Sequence, residues 1–179
     1  MDGETFEVAD IPRLRQIIDR IIENSRSGVD LFSGVMLYRG GKDPDIGRGS
    51  FGDGFKHGSL MPEVAQGYAS NANGSIGFRS PGTDKFGFVA KFNLPPDAMD
   101  VRFFKNFGIE DGSPGISMKE AAEQIDALVR SSSDPRAAVE GFIAEHMYEA
   151  RIPAGLRPAG VWLLEERGEG EFDVCRDRK

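Results

Sequence analysis

The chain has 179 residues, 39% of them hydrophobic and 28% charged, which fits one soluble globular domain and excludes an intrinsically disordered chain. Its formal net charge of −7 argues against a nucleic-acid partner or an anionic membrane, since both require clustered Lys and Arg to neutralise phosphate. One cysteine, Cys175, cannot form an internal disulfide, and the two histidines, His57 and His146, lie too far apart for metal-ligand spacing, so no metal is expected.

In chain order, an amphipathic helix is expected over residues 10–24, with Asp10 as its cap and Pro12 in its first turn. Leu14, Ile17, Ile18, Ile21 and Ile22 recur on one face of it. Residues 35–39, Val-Met-Leu-Tyr-Arg, read as a buried strand stopped by Gly40-Gly41. The glycine-rich, polar stretch over residues 41–58 has the composition of a surface loop. Residues 62–69 read as a short helix carrying Val64, Ala65 and Tyr68, followed by a loop over residues 71–83. Alternation marks a strand over residues 86–94, ended by Pro95-Pro96, and a further strand is expected over residues 99–104.

After a Gly/Pro-rich loop at residues 108–115, a helix over residues 118–130 turns Ala122, Ile125, Leu128 and Val129 inward. Asp134-Pro135, a cap followed by a first-turn proline, opens another helix that should end near Ala144. Strands are expected over residues 145–150, 161–165 and 171–174. This mixed order favours an α+β fold in a single domain, residues 1–179, with an N-terminal helical segment over residues 1–30. Met-Asp-Gly-Glu at the start carries no secretory pattern, and no apolar run is long enough to cross a bilayer.

Three places can carry chemistry. Tyr38-Arg39-Gly40 ends a buried strand, which would hold the arginine stem rigidly at a cleft rim, and a guanidinium fork matches phosphate oxygens bidentately. The alternative for Arg39 is a structural salt bridge. Phe55-Lys56-His57-Gly58-Ser59 leads into the helix at residue 62, and Ser59 can orient a carboxylate or a ribose, or cap that helix. Glu145 and Glu149 would share one face of a strand and look into one cleft; on a helix they would be solvated neighbours. No phosphate loop, dinucleotide fingerprint or serine nucleophile elbow is present, and Cys175 with His146 makes a poor nucleophilic pair beside Asp173, Arg176 and Asp177.

In their order these features resemble the mono-ADP-ribosyltransferases, especially the cholera-toxin-like branch and bacterial type III secretion effectors. Leu37-Tyr38-Arg39-Gly40 is similar to the family's arginine motif. His57-Gly58-Ser59 stands where a Ser-Thr-Ser motif belongs and keeps its last serine. Glu145, with Ile152-Pro153 and Gly160-Val161-Trp162 downstream, resembles the catalytic glutamate of the Glu-x-Glu motif. The likeness covers about residues 35–164, interrupted by a helical insertion at about residues 112–144. Ile143 occupies the place of the first glutamate, which in that family supports transfer to arginine acceptors, and Glu149 lies on the wrong side of Glu145 to replace it.

The resemblance implies two small packed β-sheets forming a cleft flanked by helices. It implies NAD as substrate, no metal, and cleavage of the nicotinamide–ribose bond with transfer of ADP-ribose to a host protein. Arg39 would grip the diphosphate, Gly40 the nicotinamide amide, and Glu145, held by Ser59, the ribose. Tyr38 and His57 would line the NAD site, and Phe55 or Tyr68 would stack on the nicotinamide ring. The partner implied is a host protein or peptide bearing exposed Arg or Lys, met by a monomer delivered to the host cytoplasm. The competing expectation is a degenerate fold that binds a protein segment without turnover. A third is a plain structural domain in which Arg39, Ser59 and Glu145 do not converge.

Overall fold

A computed structural model describes residues 11–41, 56–70, 86–94, 101–109, 111–153, 156, 158–168 and 171–174. Among them are four helices and two four-stranded antiparallel sheets, an α+β arrangement. The first sheet has the order β1-β3-β7-β8, built from β1 (Met36–Gly41), β3 (Phe86–Asn93), β7 (Gly160–Gly168) and β8 (Glu171–Val174). The second has the order β2-β6-β4-β5, built from β2 (Lys56–Gly58), β6 (Glu149–Ile152), β4 (Arg102–Phe104) and β5 (Ile116–Ser117).

In β3, Phe88, Val89, Ala90 and Phe92 are all buried, as a central strand covered on both faces requires. The sheets meet at one bridge, where Tyr38 and Ser59 exchange two backbone hydrogen bonds of 2.8 Å. Gly58 is the residue this junction demands: a Cβ there would lie 2.7 Å from Ile152 Cδ1 and 2.9 Å from the Tyr38 carbonyl.

Helix α2 (Pro62–Ser70) packs on β1 through Gly40, where an added Cβ would sit 1.7 Å from the Ala65 carbonyl oxygen. The space vacated at Gly40 is therefore filled by the helix backbone. Helix α1 (Leu14–Ser27) buries Ile17, Ile18, Ile21 and Ile22, the face expected from their spacing. It starts at Leu14, later than the sequence pattern suggested, because its first amides find side-chain partners there. Gln16 Oε1 accepts from the Arg13 amide at 2.6 Å and Glu63 Oε1 from the Leu14 amide at 2.9 Å. The expected cap, Asp10, lies outside the described residues.

Helix α3 (Met118–Ser131) opens with a reciprocal cap between Ser117 and Glu120. Hydrogen bonds from the Ser117 amide, and then from its hydroxyl, hold the Glu120 carboxyl below its ordinary range. Helix α4 (Pro135–His146) opens as expected, with Asp134 accepting from the Ala137 amide. It runs past Ala144, and residues 145–148 are not strand; β6 begins only at Glu149. The cause is periodicity. Val139, Phe142, Ile143 and Met147 form one buried stripe, and the Met147 amide still donates to Ile143 O at 2.9 Å.

Candidate functional site

The Tyr38–Ser59 bridge borders a cleft of about 440 Å³ lined by residues of both sheets. Strand β1 contributes Tyr38, Arg39 and Gly40; β2 and its next residue contribute His57, Gly58 and Ser59. Ala65 and Tyr68 of α2 line the cleft too, as do Tyr148 and Glu149. Tyr38, Arg39, Gly40, His57, Ser59 and Tyr68, all singled out from the sequence, are thus brought together. Phe55 lies outside the described residues.

Glu145 is not in the cleft. It stands on the last turn of α4 with its side chain 75% exposed, 3.8 Å from His146 Nε2. Its neighbours Phe142, Ile143 and Met147 take the buried stripe, so Glu145 falls on the solvent side. The carboxylate that faces the cleft is Glu149, at the first position of β6. Its Oε1 accepts a 3.2 Å hydrogen bond from the Phe107 amide. Its Oε2 is buried and has no hydrogen-bond partner among the described residues. A buried carboxylate oxygen left without a donor is costly in a folded protein, and a ligand hydroxyl removes that cost.

Arg39 reaches across the divide, donating from its Nη1 to the His57 carbonyl at 2.9 Å, which fixes the guanidinium at the cleft wall. Ser59 is 1% exposed, and its hydroxyl is engaged with backbone. It donates to the Tyr148 carbonyl at 2.6 Å and accepts from the Met61 amide at 3.0 Å. Ser59 therefore ties the chain just before Glu149 to the chain just before α2, and touches no carboxylate in doing so. Gly40 lines the cleft, but what its missing side chain admits is α2. Tyr38 is walled in beside Trp162, ring centroids 6.3 Å apart, and burial followed by the charge of Glu63 pushes its hydroxyl up to about 12.

Tyr148 and Val64 also line the cleft and had no sequence signal. Glu149 had one. The stripe of Val139, Phe142, Ile143 and Met147 shows that α4 continues to His146, which leaves Glu149 as the first carboxylate a following strand can present. Among the described residues no group of His, Cys, Asp and Glu is placed to hold a metal, and no helix is long and apolar enough to cross a membrane. No family model, curated protein or solved structure matches the chain.

Proposed function

We propose that the cleft binds NAD and that Glu149 is the carboxylate that assists cleavage of its nicotinamide–ribose bond. The observation that carries this reading is that Glu149 and Arg39 line the same cleft. The cleft lining includes a carboxylate with a buried oxygen that has no hydrogen-bond partner among the described residues, and a guanidinium that donates to the His57 carbonyl. NAD carries the two matching groups, an anionic diphosphate and a ribose that becomes cationic when nicotinamide leaves.

Within the resemblance to mono-ADP-ribosyltransferases, the catalytic role passes from Glu145 to Glu149, and Met147 takes the first glutamate's place. The C–N bond between ribose and nicotinamide breaks with its electron pair leaving on neutral nicotinamide. The Glu149 carboxylate, pre-aimed by the Phe107 amide, stabilises the oxocarbenium-like centre and accepts a hydrogen bond from a ribose hydroxyl. A nucleophile on an acceptor protein then bonds to the ribose carbon and gives up its proton. A host protein as acceptor and a bacterial effector as the setting follow from the same resemblance.

A second reading, a cleft that binds without turnover, draws on Met147: a fully buried methionine, not a carboxylate, caps α4 two positions before Glu149. Two measurements separate the readings. NAD should raise the melting temperature, and Arg39→Ala should reduce that shift through a loss of affinity of about tenfold or more. Nicotinamide released from NAD by the wild-type protein marks the enzyme; a thermal shift with no release marks the binder. No shift with NAD contradicts both forms of the NAD reading.

A further inference from the structure

The Glu149 carboxylate is held at one point. Among the described residues its hydrogen-bond donor is the Phe107 amide, 3.2 Å from Oε1, while Oε2 is buried and has no partner. Ser59, buried at the same cleft, uses its hydroxyl on the Tyr148 carbonyl and the Met61 amide. The direction in which Glu149 presents Oε2 therefore depends on where the Phe107 N–H points.

That bearing comes from an uncommon backbone conformation. Phe107 lies in the turn after β4 with φ of 61°, the one positive value for a non-glycine residue among those described. A residue with a Cβ is strained in the left-handed region. Residue 112, a few positions on, shows what φ alone selects: it takes φ of 72°, an added Cβ there would meet nothing within 4 Å, and it is glycine. Core packing does not call for phenylalanine at 107 either, because that residue is 57% exposed. Backbone bonds hold the turn against its strain. The Gly108 amide donates to Lys105 O at 2.8 Å, the Asp111 amide to Phe107 O at 3.0 Å and the Ser113 amide to Gly108 O at 2.9 Å. Strain kept where glycine would relieve it concentrates at sites that need pre-organised groups, and here the strained amide is bonded to a cleft carboxylate. The left-handed well of a residue with a Cβ is also narrow, whereas glycine covers φ of either sign, so a side chain at 107 confines the N–H to one bearing.

We propose that Phe107 is a positioning residue for Glu149. Its left-handed backbone fixes the N–H that holds Oε1, and so makes Oε2 the oxygen that meets the ribose. The inference rests on the NAD reading for what Oε2 meets; the hydrogen bond and the strained turn do not depend on it.

This role predicts a split between kcat and KM in nicotinamide release. Phe107→Gly keeps the N–H and widens its range. It should lower kcat about fivefold, with KM for NAD and the NAD-dependent thermal shift unchanged and the melting temperature raised as the strain is relieved. A residue that served the turn alone would not yield a more stable but slower protein. Phe107→Asn, which tolerates the left-handed conformation, should return kcat to within about twofold of wild type. A second measurement needs no turnover: hydrogen exchange of the Phe107 amide, read by NMR, should accelerate about fivefold or more in Glu149→Ala. Unchanged exchange in Glu149→Ala, or wild-type kcat in Phe107→Gly, overturns the proposal. Accelerated exchange in Glu149→Ala, with no nicotinamide released by the wild type, keeps the positioned carboxylate and sinks the NAD-cleavage reading. Release by the wild type with unchanged exchange does the reverse.

Discussion

Glu145 and Glu149 are four residues apart and end in opposite surroundings. Glu145 rides the last turn of α4 in solvent, beside His146. Glu149 opens β6 at the cleft, with one oxygen on the Phe107 amide and the other buried without a donor. Between them Met147, fully buried, closes the helix by donating to Ile143 O. What separates a solvated carboxylate from a chemically useful one is thus where the helix stops, and the apolar stripe that Met147 completes decides that point.

The strongest challenge to this comparison is at Met147. Met147→Glu would restore a glutamate two positions before Glu149, but it places a carboxylate where the side chain is 0% exposed. We expect a loss of about 4 kcal/mol or more in urea unfolding, against less than about 1.5 kcal/mol for Met147→Leu. A well-folded Met147→Glu protein would show that the stripe does not set the helix end.

A smaller effect is expected at Ser59. Ser59→Ala leaves the Tyr148 carbonyl and the Met61 amide without their hydroxyl partner, at a cost of about 1–3 kcal/mol. Because this bond positions the chain entering β6, nicotinamide release should fall further than stability explains. A variant with full stability and full turnover would detach Ser59 from the site.

Tyr38 sharpens the comparison through pH. Its folded-state value is raised to about 12, so the folded protein holds the phenolic proton after the unfolded chain has lost it. The resulting stability is complete below an ordinary tyrosine value of about 10 and drains away as pH rises toward about 12. Tyr38→Phe should flatten that alkaline decline. Phenolate absorbance should also show one of the three tyrosines ionising late in the wild type. The smallest effect belongs to Glu145→Gln, expected within about 0.5 kcal/mol of wild type in the same unfolding assay.

Much of this was legible in the sequence. The strand carrying Tyr38 and Arg39, the short helix after Ser59, the Asp134-Pro135 helix start and the α+β order all correspond to elements of the structure, although β1 is not stopped by Gly40-Gly41 and pairs with β3 through both glycines. Local signals of that kind (periodicity and caps) act over a few residues and survive folding. The convergence of Arg39, His57 and Ser59 is not local; it depends on a bridge between Tyr38 and Ser59 that no pattern of residues announces. Gly40 shows the same limit. Its position at the cleft was readable, whereas the helix backbone packed against it was not. The choice between Glu145 and Glu149 was readable in principle, since the stripe through Ile143 and Met147 already extends the helix.

The most direct measurement is nicotinamide release from NAD by Glu149→Gln and Glu145→Gln proteins at equal concentration and matched folding. The account predicts a drop of about a hundredfold or more for Glu149→Gln, with its NAD-dependent thermal shift retained, and wild-type release for Glu145→Gln. Release that survives in Glu149→Gln and disappears in Glu145→Gln would contradict it.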